Sequence, residues 1–201
     1  MTDWSAEKAE SLLREWTQSE SLVKHGLSVA RSTESYGQRE AARLGLTGAE
    51  AARFAEMYRC AGLLHDMDYE RHPTLEEHPF VGVAYLREQG WPEAILQAIL
   101  AHADYSGVVP ETHMQRALFA CDELSGFLTA CALVKPSKSI ADVEAAGVKK
   151  KMKDKAFARA VKREDMTRGA ELLGIPIEDH IQNCLTAMQT HAAELGLLGQ
   201  S

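Results

Sequence analysis

No run of alternating β-branched residues occurs in this 201-residue chain, and no Asn-Gly turn, which excludes a sheet built from hairpins. No apolar stretch reaches ~18 residues, so no membrane-spanning helix is expected. Positive charge is short as well: 22 Lys and Arg stand against 29 Asp and Glu, a net charge of −7. That balance argues against nucleic acid as a bulk partner, although a local basic patch can still take phosphate. The four cysteines, Cys60, Cys121, Cys131 and Cys184, include no Cys-x-x-Cys pair, which leaves no disulfide framework or zinc knuckle. They read as small buried thiols. Met1-Thr2-Asp3-Trp4-Ser5 places no basic region ahead of an apolar stretch, so no signal peptide is expected and the expected compartment is the reducing cytoplasm. Internal repeats, low-complexity tracts and clear linkers are missing too.

What the chain does have is helical patterning, with 45% hydrophobic and 25% charged residues. The expected fold class is all-α. A single compact helical domain spans 1–201, with a ligand-bearing core at about 20–134 and a helical extension at about 139–198 packing on it. Ser5 caps a first helix to about Thr17 that carries Leu12, Leu13 and Trp16 on one face. A second helix starts near Ser19 with Leu22, Val23, Leu27 and Val29 around His25. Thr47-Gly48-Ala49-Glu50 reads as a capping box that opens a third helix, ending at His65-Asp66. Residues 67–77 contain Pro73 and no periodicity, and read as a loop; Pro79 then opens a helix over about 79–89. Further helices are expected from Pro92 to about His102, over 112–134, over 163–173 and over 177–195, with short helices and turns at 139–163.

The most informative feature is the point where the apolar run Ala61-Gly62-Leu63-Leu64 ends in His65-Asp66. Neither residue belongs on a buried helix end unless its polarity is compensated. A neutral imidazole and a carboxylate converging on one divalent cation satisfy each other through the metal. More candidate ligands flank the pair: His25 before it, and His78, His102 and Asp122 after it. Taken singly, each histidine has a plainer reading: His25 as a structural helical residue, His78 as a surface residue, His102 as a solvated helix end. Asp122 is more telling. It lies within Ala117-Leu118-Phe119-Ala120-Cys121-Asp122-Glu123-Leu124, where a buried carboxylate needs a cation or donors. Together the ligand types suit one or two first-row divalent ions such as Mn, Fe, Co, Ni or Zn, or Mg.

The phrases Leu22-Val23-Lys24-His25, Gly62-Leu63-Leu64-His65-Asp66-Met67-Asp68-Tyr69-Glu70, His78-Pro79 and Asp122-Glu123-Leu124-Ser125-Gly126 resemble the HD-domain metal-dependent phosphohydrolase superfamily, in its small stand-alone bacterial subgroup. Val148-Lys149-Lys150-Lys151, through Lys155-Ala156-Phe157-Ala158 to Arg163, resembles that subgroup as well, so the likeness covers most of the chain. The resemblance implies that His25, His65, Asp66 and Asp122 hold one metal. It also implies that His78 and His102 complete a second site, with Asp66 bridging. His72 rivals His78 but precedes Pro73 in an expected loop, so His78 is favoured. Met67-Asp68-Tyr69 follows His-Asp and no Gly-Tyr-Pro occurs, a departure from the cyclic-dinucleotide branch that argues against such substrates.

The implied reaction is hydrolysis of a small phosphate ester or nucleotide-like molecule by a metal-activated water. The developing charge needs cationic clamps. Lys149, Lys150, Lys151, Lys153, Lys155, Arg159, Lys162 and Arg163 form a basic cluster, though charge-rich helices are usually only solvated faces. Lys150, Lys153 and Arg163 are the chosen phosphate contacts. Lys24 would point ~100° away from His25. Asp66, Asp68 and Asp104 are the catalytic candidates, the last two as proton-transfer or ligand-supporting groups. Two other functions fit the same ligands: an HD-type di-iron oxygenase, and a non-catalytic metal- or nucleotide-binding module. The expected partner is a small phosphorylated molecule, with no membrane; apolar stripes on the first and last helices would also allow a homo-oligomer.

Overall fold

A computed structural model of the protein describes residues 4–199. The signal-peptide reading rests partly on Met1, Thr2 and Asp3, which lie outside those residues. Among the described residues there are nine α-helices and no strand: α1 (Ala6–Trp16), α2 (Glu20–Arg43), α3 (Gly48–Leu64), α4 (Phe80–Glu88), α5 (Glu93–His102), α6 (His113–Leu133), α7 (Ala145–Met152), α8 (Arg163–Leu173) and α9 (Ile177–Thr190). The all-α expectation is met, and no helix among them is long and apolar enough to cross a membrane.

Helix starts follow local chemistry, with one exchange. The Ser5 side chain accepts from Lys8 N at 3.2 Å, as expected of an N-cap. The capping box expected at Thr47 does not form, because its side chain makes no cap hydrogen bond. The box is found at Thr112 instead. Thr112 Oγ1 accepts from Gln115 N at 3.3 Å, and Gln115 Oε1 accepts from Thr112 N at 2.8 Å. The last helix also stops short of the expected 195. At His191 the backbone bond shifts to the Met188 carbonyl, three residues back, and the chain turns through Gly196 at φ 67°.

α2 and α6 form the centre. α3, α6 and α9 pack on α2, α5 and α8 pack on α6, and α1 covers α3. Leu63, Leu64, Ile95, Leu118, Leu124 and Phe127 are fully buried between them. Glycines at Gly37 and Gly62 let α2 and α3 pack closely. A Cβ at Gly62 would stand 2.5 Å from Ala30 Cα, so only glycine permits the approach that draws the end of α3 towards His25. α9 is tied in by a buried histidine that no sequence signal marked. His180 Nε2 lies 2.9 Å from the Ala120 carbonyl and its Nδ1 2.6 Å from the Tyr36 hydroxyl. The ring therefore donates to α6 and accepts from α2. All four cysteines are buried and free, as their apolar settings implied.

Candidate metal centre

Six side chains from five segments meet at the C-terminal end of α3. His25 comes from α2, His65 caps α3, Asp66 follows it, His78 precedes α4, His102 ends α5 and Asp122 lies in α6. They fall into two groups, His25/His65/Asp122 and Asp66/His78/His102, and within each group one ligand atom per residue lies within 4.8 Å of the others.

Asp66 joins the groups. Its Oδ2 lies 3.5 Å from His65 Nε2 and 3.8 Å from His25 Nε2. Its Oδ1 lies 3.3 Å from His78 Nε2 and 3.4 Å from His102 Nε2. One carboxylate thus offers an oxygen to each group. Asp122 Oδ1 sits 3.0 Å from His25 Nε2 and 3.5 Å from His65 Nε2.

Whether these residues suit a cation is tested by His65. Its ring is fully buried, yet Nε2 has no hydrogen-bond partner, while two carboxylate oxygens stand just beyond bonding reach. An orphaned buried nitrogen aimed at two carboxylates is costly unless a shared ion completes it. The donor set is imidazole and carboxylate, which a divalent transition ion accepts. The two triads fit a metal.

Three of the four imidazoles have the opposite nitrogen fixed. His65 Nδ1 donates to the Gly62 carbonyl at 2.8 Å, His102 Nδ1 to that of Ile99 at 2.5 Å, and His78 Nδ1 to Asp68 Oδ1 at 2.7 Å. Asp68 in turn accepts the Gly82 N–H on Oδ2 at 2.7 Å. A Cβ at Gly82 would stand 2.9 Å from that oxygen, so the glycine makes room for the carboxylate. Asp68 is buried and acts by orienting His78. The favoured His78 joins the second triad, whereas His72 pairs with Glu77 at 3.2 Å and leans on Trp16.

The electrostatics follow from this crowding. Burial alone would raise the Asp66 carboxyl, but His65, His102 and His78 outweigh it and hold Asp66 well below the usual range. Burial would lower His78, but its bonds to Asp66 and Asp68 push it up to about 9. His65 is held well above its ordinary value by Asp66 and Asp122 against its own burial. Protons are thus the natural competitors of a cation here.

A cleft of about 290 Å³ opens over Asp66, His78, His102 and Asp122. Its walls include Tyr69, Leu75, Tyr105 and Phe119, with Asp104, Glu123, Asp165 and Lys162 at the polar rim. Asp104 therefore faces the cleft, where it pairs with Arg168 at 2.8 Å. Glu123 accepts the Lys162 N–H at 3.2 Å, and burial together with Asp122 pushes its carboxyl up to about 7.

The basic cluster is placed differently from the sequence choice. Lys150 and Lys153 are exposed, on and just after α7, and neither lines the cleft. The Arg163 guanidinium donates to the carbonyls of Phe157, Ala158 and Val161 and lies over the Phe127 ring, so it is occupied in holding the loop before α8. The lysine on the cleft wall is Lys162. Lys162, Glu123 and the two tyrosines were not selected from the sequence. Glu123 had one signal, its place beside Asp122, Lys162 was one charge of the basic cluster, and Tyr69 stood in the phrase after His65-Asp66; Tyr105 had none, because its position depends on how the turn after α5 folds back.

A family model described as HD domain matches residues 22–126, just over half of the chain. No curated protein matches the chain, and no solved structure does.

Proposed function

The chain belongs to the HD domain family, and from that premise we propose that it is a metal-dependent phosphohydrolase acting on a small organic phosphate ester. The observation that carries the reading is Asp66, with one oxygen turned to each of two His-containing triads. His25, His65, Asp66 and Asp122 would hold one ion, and Asp66, His78 and His102 a second. A divalent cation bound there supplies Lewis acidity, lowering the pKa of a water and polarising a phosphoryl oxygen.

The remaining work falls to the protein. The Lys162 ammonium, at the rim, pairs with a phosphoryl oxygen as negative charge builds. Glu123, on the cleft wall, can hold a proton on its carboxyl and pass it to the departing alkoxide oxygen. Tyr69 and Tyr105, each 43% exposed, present ring faces to the organic part of the ester and limit its exposure to water. Asp68 keeps the His78 ring turned so that Nε2 points at Asp66.

The test is hydrolysis of a broad panel of phosphate monoesters and nucleotides by protein loaded with manganese, with metal content measured in parallel. At least one ester should turn over. Equal trace activity in wild type and Asp66→Ala would remove this centre as the active site. Oxygen uptake by iron-loaded protein, with no ester cleaved, would favour oxygenase chemistry instead.

A further inference from the structure

A second cavity, of about 480 Å³, meets His25 from another side; its lining includes Lys24, Gly126, Leu133, Leu195 and Leu197. We propose that it binds a short aliphatic carboxylate, whose head group accepts a hydrogen bond from His25 Nδ1–H and is paired by Lys24. The starting point is an asymmetry among the four histidines of the triads. His65, His78 and His102 each spend Nδ1 on a protein acceptor. His25 Nδ1 has none among the described residues, although its Nε2 lies 3.0 Å from Asp122 like that of a ligating ring. A metal-bound imidazole normally hands its second N–H to an acceptor. The edge of the ring that carries Nδ1 faces Gly126, where an added Cβ would sit at 3.8 Å in ordinary contact, so the edge borders the cavity.

The hydroxyls of the lining are already engaged, two of them as donors. Ser28 Oγ donates to the Lys24 carbonyl at 2.8 Å, Thr129 Oγ1 to that of Ser125 at 3.0 Å, and Ser21 Oγ shares a bond with Ser19 Oγ at 2.8 Å. The nitrogen donors of the lining are His25 Nδ1–H and the Lys24 ammonium, which lies beside Gly196 and pairs loosely, at 4.0 Å, with Glu20, a carboxylate of the same lining. Glu20 is largely exposed and holds Lys24 only weakly, so the ammonium and the N–H can meet one carboxylate with two acceptor oxygens. A phosphate dianion would keep an unpaired charge and an unpaired oxygen. The apolar share of the wall comes from Leu133, Leu195 and Leu197, which call for a hydrocarbon tail rather than a polar one. The proton on Nδ1 follows from a cation engaging Nε2, so this inference rests on the metal reading above. By linkage, occupancy of the cavity and occupancy of the first triad would strengthen each other.

The experiment uses the full chain loaded with zinc, which is diamagnetic, titrated calorimetrically with ethanoate, butanoate, hexanoate and neutral hexanamide. Nitrogen-15 spectra of labelled histidine are recorded alongside. Hexanoate should bind one to one, tightening about fourfold per methylene along the acid series. Lys24→Met should weaken hexanoate about tenfold without moving the amide. Leu133→Trp, at a half-exposed position where folding is not at stake, should weaken both by covering the mouth. The His25 Nδ1 resonance should shift while those of His78 and His102 stay.

Three results overturn the proposal: no binding of any acid, an affinity flat along the series or indifferent to Lys24→Met, or shifts concentrated on His78 and His102, which would put the carboxylate on the metal centre. Failure to retain zinc would instead remove the metal reading. Titration of the metal-free chain, by its dependence on tail length and on Lys24, would then uphold or overturn the cavity separately.

Discussion

The two triads are built from different kinds of chain. His25, His65 and Asp122 stand on or at the end of α2, α3 and α6, helices of 24, 17 and 21 residues whose inner faces make the core. Asp66 and His78 instead belong to the irregular stretch between α3 and α4, and His102 ends a ten-residue helix. The first triad inherits its rigidity from helix packing, down to the Gly62–Ala30 approach that sets α3 against α2. The second has to be made rigid by hydrogen bonds, and Asp68 is the device that does it. A cluster of this kind can thus be held by the core or by a local clamp, and these two should fail differently.

The contrast breaks most completely at Asp66, the one residue both triads use. Asp66→Ala removes several kcal/mol of transition-state stabilisation, on the order of 10³-fold in kcat/KM. Bound metal should fall at both triads, by elemental analysis; a variant that kept two ions would contradict the shared-carboxylate geometry. The contrast sharpens at Asp68. Asp68→Asn should cost roughly 10–100-fold in affinity at the second triad and leave the first nearly unchanged. Two-phase metal titration reads this directly, and an equal loss at both triads would mean that the clamp is not local.

Acidity comes next. His78 is raised to about 9, so below that pH a cation entering the second triad must displace its proton. The sign is fixed: affinity is greatest above about 9 and falls as pH drops, by up to about tenfold per unit for each proton displaced. Titrations at three pH values that gave one affinity would reject proton competition. The smallest effect is expected at the rim. Lys162→Ala should raise KM several-fold, about 1 kcal/mol of an exposed charge contact, while Lys150→Ala should change nothing. Steady-state kinetics on the same ester separate the two, and equal effects would move the phosphate contact away from the cleft wall.

The six clustered side chains were legible in the sequence because they have few other reasons to be where they are. Asp122 inside an apolar helix and His65-Asp66 at the end of another are polar groups without a local partner, and their sequence context says so. Asp68 was legible only as one of two uncertain carboxylates. Its role depends on Gly82 N–H and His78 Nδ1 arriving at its two oxygens from further along the chain. The lysine lining the cleft was the least legible. Lys150, Lys153, Lys162 and Arg163 are alike as charges in one basic stretch, and nothing in their order reveals that Arg163 is used on backbone carbonyls. Helix starts show the same divide. The Thr47 and Thr112 patterns both permit a capping box; Gly48, at φ 56°, follows Thr47, and only the box at Thr112 closes.

What the amino-acid order determined by itself was the class of fold and the chemistry of the donors: apolar residues at helical spacing, and imidazoles and carboxylates too polar to bury alone. Tertiary structure alone decided that six of these side chains form two groups sharing one carboxylate, that Lys162 is the lysine lining the cleft, and that one histidine edge opens on a second cavity. The reason is physical. Helical period and residue type are local properties of a chain, whereas a coordination site is an intersection of distant segments, set by how closely their backbones can pack.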